Sequence, residues 1–246
     1  MPEHNPMVFI SSLGAKLATR SRHVCAFLGA GVGRACGLPD VEGLQQHVLH
    51  GLRKDRREAL SRQLKDCNLE EALSRIRRIS ALISGEETVD GLTATKAEEL
   101  DKAICQIIVR SLSVNGTESA AAICLGAWAA RANYHLPVEL FTVNYDLLLE
   151  NALESMRVPY FDGFVGTLQA RFHTELVEGL PGSDDLVMPP YFVRLWKLHG
   201  SVNWAWDKNK QIVRLGQAVP DDQAAAIYPS DTKYEESRRV PFVVLQ

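Results

Sequence analysis

Apolar positions along this chain fall into two kinds of pattern, stripes of helical period and short unbroken runs of strand length. A helical stripe over 9–20 leads into HVCAFL (23–28), which has strand length and ends at a glycine. GAGVGRACGLP (29–39) follows. Four glycines and a proline in eleven residues predict a turn-rich loop rather than a regular element. The helical period then resumes over 41 to about 51, 56–65 and 69–84, the last with Leu69, Leu73, Ile76, Ile79 and Ile83 on one face. Residues 85–95 read as a polar loop, and 96–112 as an amphipathic helix carrying Leu100, Ile104, Ile107 and Ile108. Thr117 opens a small-residue helix over 118–131. VELFTV (138–143), between Pro137 and Asn144, is a second strand, and 146–155 returns to helix. Residues 163–190 read as irregular, with GSDD (182–185) as the expected mobile tip. A third strand over 191–198 stops at His199-Gly200, and 211–215 is expected to pair with it.

Strand, glycine loop, several helices, strand and helix describe an α/β fold: a Rossmann-like, mostly parallel sheet with a helical insertion over about 41–131. The expected organisation is a single domain over 1–246, without internal repeats or low-complexity segments. Open sheets of this kind bind ligands beyond the carboxyl ends of their strands. GAGVG, TVNYD and KLHGS all stand at such ends.

Composition narrows the function classes. The chain has 246 residues, 46% of them hydrophobic and 23% charged, as in an ordinary globular protein. With 27 basic against 30 acidic residues and a net charge of −3, nothing argues for nucleic acid or an anionic membrane as partner. RKDRR (53–57) and RIRR (75–78) lie in helical stripes and read as solvated faces. The five cysteines are scattered and form no C-x-x-C, which argues against a disulfide framework and a four-thiolate zinc site. No secretory signal pattern opens the chain, and no apolar run reaches the roughly 18 residues of a membrane span. A reducing, cytoplasmic setting is the expectation.

Each motif has a bland and a chemical reading. In GAGVG (29–33), glycines let backbone N–H groups approach a pyrophosphate, or they serve only a tight turn. The spacing is not G-x-G-x-x-G, because position 34 is Arg. In TVNYD (142–146), Asp146 can be a helix cap and Asn144 a turn residue. The pair can equally hold a ribose hydroxyl and a polar ring substituent. In WKLHGS (196–201), His199 is structural or a general base facing the crevice. His47 and His50 stand three apart without a thiol or carboxylate placed to complete a metal site, and read as surface residues.

In this order, FLGAG with GLP (27–31, 37–39), FTVNYD (141–146) and KLHGSVNW (197–204) resemble the sirtuin-like NAD-consuming domains at the N-terminus of bacterial antiphage defence proteins. The resemblance covers about residues 20–230. It implies that Gly29, Ala30, Gly31 and Gly33 cradle the NAD phosphates, that Asn144 contacts the nicotinamide ribose, that Asp146 lies near the carboxamide, and that His199 is the general base. It adds Pro39, Asp40, Thr142, Tyr145, Gly200 and Ser201 to the NAD-binding set. The implied activity is NAD+ glycohydrolysis, with NAD as substrate, no metal, and control by homo-oligomerisation or a co-encoded defence partner.

Departures from the family pattern carry information. No cysteine follows Cys124, so the zinc ribbon of protein-deacylating sirtuins has no counterpart, and Val41-Glu42 stand where those proteins carry Phe-Arg. Gly33 occupies a position that is usually serine. The family's late Gly-x-Ser-x-x-Asp segment has no match after Leu215, which leads to the expectation of a chain truncated from a longer protein. NAD hydrolysis is the leading reading. A non-catalytic NAD or ADP-ribose sensor is the alternative, and deacylation the third.

Overall fold

The computed structural model describes residues 5–18, 23–65, 67–113, 119–131, 136–178, 192–209, 211–216, 219 and 240–245. A first helix, α1 (Pro6–Leu17), is capped by the Asn5 side chain and leads to β1 (Cys25–Leu28). Four helices then intervene after the glycine segment: α3 (Val41–Gly51), α4 (Lys54–Gln63), α5 (Leu69–Leu82) and α6 (Ala94–Leu112). Their starts are written locally. Asp40 caps α3, Thr93 caps α6, and Asn68 with Glu71 forms a reciprocal capping box on α5. Leu60, Leu73, Ile76, Leu100, Ile104 and Ile108 are fully buried among these helices, which thus form a module with its own core. Arg56 pairs with Glu99 and Arg75 with Asp90 on its outside, while Arg77 is half-buried against Asp101 at 3.0 Å.

After α7 (Ala120–Arg131) comes β2 (Val138–Thr142), then α8 (Leu148–Ser155), β3 (Tyr160–Phe161) and, later, β6 (Val193–Lys197). The first sheet is parallel with order β1-β2-β6-β3, and Leu140 stands between Ala26 and Leu195. One face packs Leu140, Val193 and Leu195 against Leu125, Trp128 and Ala129 of α7 and Leu149 and Leu153 of α8. Phe141 and Trp196 point the other way, toward a second sheet. That antiparallel sheet has order β4-β5-β8-β7, formed by β4 (Phe164–Val165), β5 (Ala170–Phe172), β7 (Trp204–Trp206) and β8 (Ile212–Arg214). Short helices α9 (Thr174–Glu178) and α10 (Phe242–Leu245) complete the described residues, and Leu245 of α10 packs into the second-sheet core. The mixed α/β architecture with a parallel sheet is the predicted fold class. Among the described residues no helix is long and apolar enough to cross a membrane.

Four elements differ from the pattern reading. The glycine loop contains a helix, α2 (Ala30–Ala35). Glycine weakens a helix by about 1 kcal/mol per residue relative to alanine, but tertiary contact decides here. Gly33 is buried, and its carbonyl accepts the Leu38 N–H at 2.9 Å, closing the turn through Gly37 at φ +82°. The helix after β2 begins at Leu148, because Asp146 Oδ1 takes the Leu148 N–H at 3.1 Å and holds 143–147 as a loop. Part of the irregular stretch is ordered as β4, β5 and α9, while GSDD at 182–185 lies outside the described residues. Finally, Ile212–Arg214 pairs with β7 and β5 and not with β6. The chain turns back after Lys197, and β7 and β8 bury Trp204 and Ile212 with Trp196.

All five cysteines are free; Cys25 and Cys124 are exposed, Cys36 and Cys105 buried. Burial, reinforced by Asp101 and opposed by Arg77, pushes the Cys105 thiol from its ordinary 9.0 up to about 12. Iodoacetamide at pH 8 is expected to alkylate Cys25 and Cys124 and to spare Cys36 and Cys105 until the protein unfolds, as peptide mapping will report. Because the folded thiol holds its proton longer, this group's contribution to stability declines as pH rises above 9 toward 12.

Candidate active site at the strand ends

The carboxyl ends of β1, β2 and β6 converge under the helical module. Val143 N–H continues the ladder to Leu28 O at 3.3 Å, and Leu198 N–H bonds Thr142 O at 2.9 Å. Beyond those rungs the strands end and their loops diverge. Asn144 is held twice: its N–H donates to Thr142 Oγ1 and its Nδ2 to Gly29 O, both at 3.0 Å. The second bond ties the β2 end to the glycine segment. Asp146 is buried and also helps start α8. His199 is half-buried in a tight turn that Gly200, at φ +88°, allows the chain to make.

These groups surround one cavity of about 230 Å³. Ala30, Gly33, Pro39 and Asp40 line it from the glycine segment, Asn144, Tyr145 and Asp146 from the β2 end, and His199 from the β6 end. Val41 and Leu44 of α3, Leu112 of α6, Leu38 and Val143 supply its apolar walls. Small-molecule sites usually measure about 300–1,000 Å³, so this cavity lies just below that range. Apolar walls with few polar groups strengthen every electrostatic contact made inside.

The other predicted residues stand elsewhere. Gly29 acts through its carbonyl on Asn144, and Thr142 is buried and positions the Asn144 backbone. Gly31 is exposed on α2, and a Cβ built there meets nothing within 4 Å. Packing within this chain therefore does not demand glycine at 31. Ser201 is fully buried beneath the cavity, not in its lining. Asp40, which lines the cavity, also caps α3 and pairs with the exposed Arg34 at 3.2 Å. His47 and His50 are exposed on α3. Among the described residues no group of three or more His, Cys, Asp or Glu could hold a metal ion.

Residue-by-residue reading missed a buried ion pair behind the β2-end loop. Lys197, the last residue of β6, is buried and meets Glu150 Oε1 of α8 at 2.7 Å. Burial raises the Glu150 pKa, while Lys197 pulls it back. A lysine ending an apolar strand was the available signal, since lysine is almost never buried without a partner.

Residues 138–239 match the SIR2-like domain family. The matched stretch carries Asn144, Asp146, Lys197 and His199, and SIR2-like domains use NAD as substrate. The glycine segment and the α3–α6 module lie before it. Among curated proteins none matches the chain. The matched stretch therefore contributes two of the three polar edges of the cavity, and residues before it contribute the third.

A Cβ at Gly33 would stand 3.5 Å from Leu38 and 3.7 Å from Asp146 Oδ2, an ordinary contact. Gly33→Ser is thus expected to fit and to raise the melting temperature by about 1–2 °C through helix propensity. A thermal melt checks this, and a marked drop would show that the α2–Asp146 contact tolerates no side chain.

Proposed function

We propose that this chain is an NAD+ glycohydrolase that breaks the nicotinamide–ribose bond, giving nicotinamide and ADP-ribose. The observation that carries the reading is the cavity that brings Asn144, Asp146 and His199 against the glycine segment. The match of 138–239 to the SIR2-like domain supports NAD as the molecule bound. In this reading the nicotinamide end enters the apolar cavity, and the pyrophosphate lies along 29–33, where glycine at 31 leaves open space. Gly29 O fixes the Asn144 carboxamide through Nδ2, which leaves Oδ1 to accept from a ribose hydroxyl or the attacking water. As nicotinamide leaves with the bonding electron pair, positive charge develops on the ribose, and the buried Asp146 favours that charge. Water attacks the ribose carbon and His199 takes its proton. An antiphage setting, with restraint by oligomerisation or a co-encoded partner, is part of the proposal and rests on the motif resemblance.

The deciding experiment incubates the protein with NAD, with and without its genetic neighbours, and separates the products by chromatography. Equal release of nicotinamide and ADP-ribose supports hydrolysis. Tight calorimetric binding without release would replace hydrolysis with the sensor reading.

A further inference from the structure

Lys197 stands two residues before His199 and is buried, with 2% of the residue exposed. A cation in that position must use all its donors, because an unmet buried charge is costly. Its partners come from three places. Glu150 Oε1 lies at 2.7 Å on α8, Ser201 Oγ at 2.9 Å on the loop after β6, and the carbonyls of Asp146 and Tyr145, the latter at 3.5 Å, on the loop after β2. Ser201 Oγ also reaches Tyr145 O at 3.3 Å, and the Val202 N–H reaches the same carbonyl at 2.9 Å. The two loops joined in this way are those that bear Asn144, Asp146 and His199.

We propose that Lys197 is a positioning residue: its buried ammonium locks the loops 143–147 and 198–203 together, and so sets the distance between the His199 ring and Asn144. The consequence for turnover rests on the hydrolase reading above; the mechanical lock does not. Glu150 balances the charge of the ammonium at 2.7 Å. The remaining bonds go to backbone and hydroxyl oxygens of the site loops.

The test compares wild type, Lys197→Met with Glu150→Met, and Ser201→Ala by hydrogen exchange, thermal melting and NAD kinetics. Replacing both members of a buried ion pair with apolar groups is often neutral for stability, so the double variant is expected to melt near wild type. Its Asn144 and Val202 amides are nevertheless expected to exchange at least about tenfold faster, with protection in α5 and α6 unchanged. Misplacement of about 1 Å in a site costs about 10²-fold in rate; kcat is expected to fall on that scale, with KM for NAD within about threefold. Ser201→Ala removes only one hydroxyl and is expected to speed exchange at Asn144, in the opposite loop. Wild-type exchange at Asn144 and Val202 in the folded double variant would overturn the proposal. If the double variant does not fold, wild-type exchange at Asn144 in Ser201→Ala overturns it equally. A wild-type protein that releases no nicotinamide ends the hydrolase reading alone, because the exchange data still decide whether Lys197 joins the loops.

Discussion

His199→Ala is expected to lower nicotinamide release by about 10²–10⁴-fold, the usual contribution of a positioned general base, while the melting curve stays near that of wild type. The separation follows from where the side chain sits. His199 lies half-buried in a turn at the cavity edge, outside the three large apolar clusters that hold the module and the two sheets together. Asn144→Ala is expected to lose a comparable factor with a different signature. Its Nδ2 bond to Gly29 O joins the β2 end to the glycine segment, so KM should rise as kcat falls. That bond contributes about 0.5–1.5 kcal/mol to folding, against a total of about 5–15 kcal/mol for a typical domain. Circular dichroism should therefore show folded protein in both variants. Wild-type-like release from both would remove these residues from the chemistry.

Trp204→Ala is expected to produce the opposite pattern, a loss of about 3–5 kcal/mol in stability with turnover per folded molecule within a few-fold of wild type. Trp204 closes the KLHGSVNW segment and is 1% exposed, but it does not line the cavity. Its ring lies 4.8 Å from that of Phe164, and it packs with Trp196 and Ile212 between the two sheets. Truncation opens a void the surrounding strands cannot collapse into without breaking sheet pairing. Urea unfolding gives the stability change. An unchanged midpoint beside lost activity would instead place Trp204 in the site.

Much of the site was legible because strand ends are legible. VELFTV stops at Asn144 and the run ending in WKL stops at His199, and chemistry in an open α/β sheet gathers at such ends. The structure brings both residues to one cavity with Asp146. The apolar wall was not legible, because Val41, Leu44 and Leu112 read as ordinary core-facing residues of amphipathic helices. Whether they face their own module or a cavity depends on how α3 and α6 dock over the strand ends. Lys197 was hidden for a similar reason. A lysine ending an apolar strand signals a buried partner without naming it, and that partner, Glu150, lies 47 positions away in sequence.

From sequence alone came the helical stripes of α3 to α6, the strands bounded by Pro137, Asn144 and His199, and the α/β class. All of these are set by interactions within a few residues, through backbone geometry, capping and apolar period. Only the tertiary structure decided that α2 forms across its glycines, that β8 joins a second sheet, and that Lys197 lies buried under the site. Each of these turns on long-range packing: a buried Gly33 against Leu38 and Asp146, Trp204 against Trp196 and Phe164, a cation that survives burial only because Glu150 and two loops meet it. Local pattern carries no information about which distant atoms arrive at a given side chain.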